Sequence, residues 1–174
     1  MPRTVLTEEN LKKYLSDETL RLNLEHHYWL KDSFLDKIGR MAPNLQVLSL
    51  RRLKITDDAF FDMFEHLRHV QSLDISNSPF IAERGMLKFL ESCTESVRCI
   101  QASNCQDAIT DNVVKAIANV ESTELEFIDI SYNKLVTDEG LNAFEGKSFP
   151  IKHLSFSGCT GVTGKGLYHP IWAA

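Results

Sequence analysis

The fold is decided by residues 125–141, which read LEFIDISYNKLVTDEGL. Ile128 and Ile130 alternate with polar neighbours, and this pattern predicts a short strand because successive side chains of a strand point to opposite faces. A turn follows at Asn133, and Thr137 stands where its side chain can cap a helix that begins at Asp138. The stretch therefore predicts one compact strand–turn–helix unit.

The same unit recurs along the chain. Units begin at residues 45, 70, 97, 125 and 151, which lie 25 to 28 residues apart, and residues 19–24 resemble a weaker first copy. A repeat of this length with a strand and a helix in each copy indicates a solenoid, in which each repeat packs on its neighbours. We therefore predict an α/β fold, a right-handed solenoid of about six strand–helix repeats.

Two parts of the chain are predicted from this pattern. Residues 1–18 are expected to form an N-terminal helical cap, with a helix over residues 4–16 that Thr7 caps. Residues 19–174 are expected to form the repeat domain, whose last repeat is incomplete or irregular because of Gly164, Gly166 and Pro170. Apolar residues at helical spacing predict the repeat helices at residues 31–41, 57–67, 83–92, 111–120 and 138–144.

Composition limits the class of protein. The 174 residues suit one domain, and a hydrophobic content of 43% is sufficient for a continuous core. The net charge of −5 argues against general nucleic-acid binding, which usually needs a basic surface. No apolar run is long enough for a membrane span, and the N-terminus has no signal-peptide core. We therefore predict an intracellular protein, in the first place cytoplasmic, and leave cilium, nucleus and mitochondrion open.

The four cysteines are expected to be reduced structural thiols. Cys105 and Cys159 fall at the same position of their repeats, where Asn133 stands in another repeat, so one repeat position explains both. The chain has no CxxC motif. The pairs His26-His27 and His66/His69 have no further ligand near them in sequence. No metal and no cofactor are predicted.

The pattern LxxLxLxx(N/C) followed by (I/V)TDxxL resembles the cysteine-containing class of leucine-rich repeats, known from F-box proteins and similar to the ribonuclease-inhibitor type. The resemblance implies a curved array with a parallel sheet on the concave face and helices on the convex face, and partner binding through strand residues and adjoining loops. An F-box is a small helical domain of roughly 40 residues. The 18 residues before the first repeat are too few to form one. Similar small arrays occur in ciliary regulatory complexes and in a mitochondrial factor similar to ATP synthase subunit s.

Strand alternation predicts which residues face a partner. Positions one, four and six of each repeat should point into the core, so positions three, five and seven should line the concave face. Phe127 is the large apolar side chain among them and is expected to be an anchor. The basic residues Arg21, Arg51, Arg52 and Lys54 either meet an acidic peptide or are simply solvated. The partner-binding candidates are Arg21, Arg51, Asp74, Gln101, Phe127, Asp129 and His153.

Catalysis is not predicted, although some suitable residue types are present. His153 and Ser155 stand two apart on one strand with Asp129 on the next, but the chain lacks a GxSxG elbow. The glycines between residues 158 and 166 do not match a phosphate-binding loop, since Cys159 and Gly166 occupy two of its key positions.

The sequence thus predicts a non-catalytic protein–protein interaction module or a scaffold subunit of a larger complex, without nucleic-acid binding and without membrane insertion. Two alternatives stay open. One is the substrate-recognition part of a ubiquitin ligase, and the other is a structural subunit of an axonemal (ciliary) or mitochondrial assembly.

Overall fold

A computed structural model describes Thr7 and residues 10–163 of the chain. The described part is an alternation of short strands and helices. The strands are β1 (Arg21–Asn23), β2 (Val47–Ser49), β3 (Ser72–Asp74), β4 (Cys99–Gln101), β5 (Phe127–Asp129) and β6 (His153–Ser155). The helices are α1 (Leu11–Tyr14), α2 (Ser33–Met41), α3 (Asp57–Met63), α4 (Glu83–Ser92), α5 (Asp111–Ile117) and α6 (Asp138–Leu141), which continues as a 3₁₀ turn, Asn142–Phe144.

The strands form one parallel sheet in the order β1-β2-β3-β4-β5-β6. The register aligns the same repeat position in every copy, so that Leu48 lies beside Leu73 and Ile100 beside Ile128. Parallel neighbours joined through a helix require a crossover, and such crossovers are almost always right-handed. The predicted α/β leucine-rich-repeat solenoid is confirmed.

The core is continuous because positions one, four and six of each repeat point between the sheet and the helices. Leu45, Leu48 and Leu50 are at most 1% exposed, as are the equivalent residues of the next repeats through Ile130. On the helix side, the Phe64 ring lies between the rings of Phe60 and Phe89, at centroid distances of 4.9 and 5.1 Å. The inward register expected from strand alternation is therefore correct.

Hydrogen bonds at the helix starts connect successive repeats. The side chains of Thr56, Thr110 and Thr137 each accept a hydrogen bond from the first turn of their own helix. The Thr137 hydroxyl also donates to the Asp111 carboxylate of the preceding helix at 2.6 Å, and the Thr137 backbone N–H donates to the same carboxylate at 2.8 Å. In the repeats that have it, the Thr-Asp pair therefore caps one helix and binds the neighbouring repeat, whereas the third repeat has Ala82-Glu83 and no side-chain cap there.

The cysteines belong to a second ladder of bonds between repeats. The Cys105 thiol donates to the Ile75 carbonyl at 3.0 Å, and the Cys159 thiol donates to the Ile130 carbonyl at 3.2 Å. At the same repeat position, the Asn133 amide donates to the Ala102 carbonyl at 2.8 Å and the Ser78 hydroxyl donates to the Leu50 carbonyl at 2.8 Å. In repeats three to six the position therefore holds a small buried donor, which explains why Cys and Asn exchange there, while the second repeat has Leu53.

Two helices end earlier than predicted. Helix α3 ends at Met63 rather than at residue 67, because the Arg68 guanidinium binds the carbonyls of Phe64, Glu65 and Leu67 and replaces helical hydrogen bonds. Helix α5 ends at Ile117 rather than at residue 120, where the Asn119 amide binds the Lys115 carbonyl.

The remaining comparison concerns the start of one helix, the range of another and one residue of the α3 core stripe. Helix α2 begins at Ser33, and helix α4 matches the predicted range. Phe61, expected on the core stripe of α3, is only half-buried, and Arg84 covers its ring at 4.0 Å.

Both ends of the predicted domain division fall partly outside the described residues. The helix expected over residues 4–16 is observed over Leu11–Tyr14, and Thr7 accepts a hydrogen bond from the Asn10 backbone N–H at 3.3 Å. Leu15 packs into the core at 4% exposure. Residues 1–6, 8–9 and 164–174, with Gly164, Gly166 and Pro170, lie outside the described part, so the cap and the irregular last repeat stay predictions.

Candidate functional site

The concave face consists of the side chains at positions three, five and seven of the strand segments. These side chains project from the sheet on the side opposite the helices, because their neighbours at positions four and six are buried. Most of them are half-buried. The concave face comprises Arg21, Asn23, Glu25, Val47, Ser49, Arg51, Ser72, Asp74, Ser76, Cys99, Gln101, Ser103, Phe127, Asp129, Ser131, His153, Ser155 and Ser157.

At the N-terminal end of this face, acidic and basic side chains lie together. Arg51 lies between two carboxylates, with its Nε 3.5 Å from Glu25 and an Nη 3.9 Å from Asp74. Arg52 also approaches Glu25 at 3.5 Å. The basic spot considered from the sequence is therefore partly neutralised, because Glu25 balances two of its cations.

Arg51 keeps one unused donor. Among the described residues, its Nε is buried without a hydrogen-bond acceptor at suitable geometry, although the side chain as a whole is 36% exposed. A buried donor without a partner costs free energy, and because the Nε atom itself has no exposed surface, the exposed part of the Arg51 side chain lies elsewhere. Arg21, one strand earlier, is exposed.

At the C-terminal end, two rings form a stacked pair. The Phe127 ring and the His153 ring lie parallel, with centroids 4.3 Å apart and an interplanar angle of 12°. Phe127 is half-buried and His153 is exposed. Phe127 is thus less exposed than a free anchor would be, because the histidine of the next strand covers one face of its ring.

Asp129 lies beside this pair and stays ionised. Burial acts to raise the pKa of Asp129, but hydrogen bonds from Ser131 and Ser103 and the nearby His153 outweigh burial, so that the net shift is downward. The Ser131 backbone N–H donates to the carboxylate at 3.0 Å. Asp129 therefore presents a fixed negative charge on the concave face.

The serine, histidine and aspartate of this region do not form a catalytic triad. The Ser155 hydroxyl is hydrogen-bonded to the Ser131 hydroxyl at 2.7 Å, and the His153 ring stacks on Phe127. Among the described residues, no hydrogen bond connects His153 to Ser155, as a nucleophile and its base would require. The geometry is that of a polar surface.

The structure brings together some of the predicted residues and separates others. Arg51 and Asp74 are in contact, as are Phe127 and His153, and Gln101 lies between the two pairs with its amide 3.7 Å from the Cys99 sulfur. Strands lie about 4.8 Å apart, so Arg51 on β2's end is about 15 Å from Phe127 on β5. The predicted set is two clusters rather than one site.

Sequence reasoning missed a group of exposed hydrophobic side chains beyond the strand ends, namely Phe80, Tyr132 and Leu135. A signal was present in the sequence. Phe80 and Leu135 each follow the last residue of their strand by six positions, as Trp29 does in the first repeat, and Tyr28 and Tyr132 lie in the same turns.

The described residues contain no group of three or more His, Cys, Asp or Glu side chains arranged to hold a metal ion. His66, considered as a ligand, is hydrogen-bonded to the Asp36 carboxylate at 3.1 Å instead. Within the described part, no helix has the length and apolar character needed to cross a membrane.

Comparisons with known proteins agree with this architecture. A sequence model described as a leucine-rich repeat matches residues 121–144. A chain in the crystal structure of the Rad7 and Elc1 complex in yeast is similar in fold, with a TM-score of 0.55 and 16% sequence identity; the match covers 85% of this chain and 45% of that one. No curated protein gives a significant match. The repeat match and the shared fold together support a leucine-rich-repeat protein.

Proposed function

We propose that the chain is a non-catalytic protein-interaction module, a subunit or scaffold of a larger complex, which binds a protein partner through the concave face and adjoining loops. The observation that carries this proposal is the pair of preorganised clusters on one sheet, Phe127 with His153 and Arg51 with its two carboxylates. A sheet held by a continuous core positions such side chains without further ordering on binding.

The aromatic cluster is suited to contribute most of the affinity. Stacking on His153 restrains Phe127, so that little rotational entropy remains to be lost when a partner side chain covers the exposed part of the ring. Buried aromatic side chains dominate interface energetics. Asp129 beside the pair adds a fixed charge that favours a basic group on the partner.

The charged cluster is suited to determine specificity. Arg51 has acidic neighbours and a side chain that is 36% exposed, so a neutral acceptor such as a partner carbonyl can meet its exposed part. Glu25 and Asp74 would disfavour a partner with a strongly acidic segment. The proposed partner therefore has an apolar residue near β5 and a polar acceptor about 15 Å away, near the end of β2.

The test begins with affinity purification of the tagged protein from its own cell type and identification of the copurified proteins by mass spectrometry. The reconstituted pair is then measured with the Phe127→Ala variant, which should weaken binding by about tenfold while the circular-dichroism spectrum is retained. Arg51→Ala should mainly change the salt dependence of binding. Lys115→Ala is the matched control, since Lys115 pairs with Glu139 on the convex side.

One combination of variant results would contradict binding through the concave face. If Phe127→Ala binds like wild type while Lys115→Ala loses binding, the partner uses the convex helices.

The stoichiometry of the copurified material separates two roles. A fixed ratio with a multi-subunit particle supports a structural subunit, and substoichiometric, exchanging partners support a substrate-recognition role. The similarity to a chain of a two-protein complex favours membership of a complex in either case.

A further inference from the structure

Exposed hydrophobic side chains are concentrated along one edge of the solenoid. Five large apolar side chains between 41% and 62% exposed lie in the turns that leave the strands toward the helices. Because the strands are parallel, all these turns lie at the same edge of the sheet, which we call the turn edge. The concave face has no side chain of this kind within the described residues. The turn edge is defined by Tyr28, Trp29, Phe80, Tyr132 and Leu135.

The Tyr132 ring has a defined position in its turn, which has the same backbone conformation as the other repeats, including Arg52 with φ of 61°. Position eight of each repeat has a positive φ, which Asn77, Asn104 and Gly158 adopt readily. Tyr132 adopts the same conformation with φ of 61°, although its bulky side chain is disfavoured there. Its ring lies over Gly158, where a Cβ atom would meet the ring at 2.5 Å. The ring thus has a defined position although it is 62% exposed.

The hydrophobic turns alternate with polar ones at regular spacing. Tyr28 and Trp29 belong to the first repeat, Phe80 to the third, and Tyr132 and Leu135 to the fifth. Since neighbouring strands are about 4.8 Å apart, alternate repeats place their turns about 10 Å apart. The row therefore extends over about 20 Å.

The intervening turns carry opposite charges. The second-repeat turn exposes Lys54, and the fourth-repeat turn exposes Asp107. Neither side chain forms an ion pair with another residue of the described part, in contrast to Arg52, which approaches Glu25 at 3.5 Å. Along the turn edge, apolar side chains therefore alternate first with basic Lys54 and then with acidic Asp107, and the last apolar turn also exposes Lys134.

We propose that the turn edge binds an amphipathic α-helix of a partner protein. Residues i, i+7 and i+14 of an α-helix lie on one face about 10.5 Å apart, which matches the spacing of the three apolar turns. A residue at i+3 or i+4 would then face Lys54 and should be acidic. A residue at i+10 or i+11 would face Asp107 and should be basic. This surface lies in the turns that adjoin the concave face, and the proposal does not depend on the two side-chain clusters of that face.

The test uses two designed 21-residue Ala-rich peptides. Each carries Leu at i, i+7 and i+14, with one Glu and one Lys at the charged positions between them, and the second peptide has this order of residues reversed. A scrambled peptide of the same composition is the control. Binding to the whole chain is followed by fluorescence anisotropy of a labelled peptide at low salt. At least one patterned peptide should bind and the scrambled peptide should not. Phe80→Ser should weaken binding by about fivefold or more, since it removes the central contact. Ser72→Ala on the concave face is the control and should bind unchanged.

A charge exchange tests the orientation independently. Lys54→Glu should weaken the binding of the patterned peptide that binds wild type, because two carboxylates would then face each other. A peptide with Lys in place of its Glu should regain binding to this variant. The proposal is overturned if neither patterned peptide binds, if the scrambled peptide binds equally, or if Phe80→Ser leaves binding unchanged. Concentration-dependent dimerisation of the free chain that Phe80→Ser abolishes would also overturn it, by assigning the turn edge to a second copy of the chain.

Discussion

Replacement of Asn133 by alanine should destabilise the array more than a single buried side chain of this size would suggest. Asn133 is fully buried, and its amide accepts a hydrogen bond from the Cys105 backbone N–H at 2.9 Å and donates to the Ala102 carbonyl at 2.8 Å. Asn133→Ala removes both partners, whereas the Ile130 carbonyl, which also accepts from the Asn133 amide at 2.8 Å, keeps the Cys159 thiol as a donor. Each unpaired buried backbone group costs about 1–3 kcal/mol, so we expect a loss of about 4 kcal/mol in the free energy of unfolding.

A second variant separates the two bonds. Asn133→Cys places there the residue that stands at the same position in the neighbouring repeats, where the thiol donates to the equivalent carbonyl, as Cys105 does to Ile75 at 3.0 Å. It restores the donor toward Ala102 but provides only a weak acceptor for the Cys105 N–H. We therefore expect Asn133→Cys to lose about 2 kcal/mol, roughly half the effect of alanine.

Urea unfolding followed by circular dichroism at 222 nm measures both variants. The dependence of the free energy on urea concentration should stay unchanged, so that the midpoint alone reports stability. If Asn133→Ala lies within about 1 kcal/mol of wild type, the hydrogen bonds between repeats do not contribute as argued. If the cysteine variant is no more stable than the alanine variant, the small buried donor is not what this position selects.

Three further predictions concern the core and its titrating groups. Ile128→Asp should unfold the array, since an unpaired carboxylate at this fully buried position costs about 3–5 kcal/mol, and an unchanged thermal midpoint would contradict the register. Gly85→Ala should destabilise by about 1 kcal/mol or more in thermal unfolding although alanine favours helices, because a Cβ there would meet Phe60 at 2.8 Å and the Asp57 carboxylate; a gain in stability would refute this contact. Burial raises the pKa of the Cys93 and Cys105 thiols to about 11 from 9.0, so their contribution is present below pH 9 and is lost as pH rises toward 11. The free energy of unfolding of wild type, measured by urea titration, should fall over this range by up to about 2–3 kcal/mol per thiol, and that of a Cys93→Ala/Cys105→Ala variant should fall less; parallel pH profiles would refute the assignment.

The repeat fold was predictable because its determinants are local and recur. The spacing of Leu45, Leu48 and Leu50 and the Thr-Asp pair at most helix starts are short patterns, and five copies in one register reinforce one another. The same regularity revealed that Cys105 and Cys159 share a structural position. Strand registers and inward faces were correct for that reason.

The candidate sites depend on side chains that are distant in sequence. Glu25 and Asp74 flank Arg51 from neighbouring strands, so the basic spot expected from the sequence is partly neutralised. His153 stacks on Phe127 from the next repeat, so the expected aromatic anchor is partly covered. Sequence alternation indicates which way a side chain points but not which neighbour it meets. That choice depends on side-chain conformation and charge across strands.

The sequence by itself determined the repeat length, the order of strands and helices and the buried faces, since hydrophobic periodicity and capping residues act within a few residues of one another. Only the tertiary structure decided which exposed side chains form a row. Phe80 and Tyr132 are 52 residues apart in the chain. They lie along one edge because parallel stacking places the same turn of every repeat side by side.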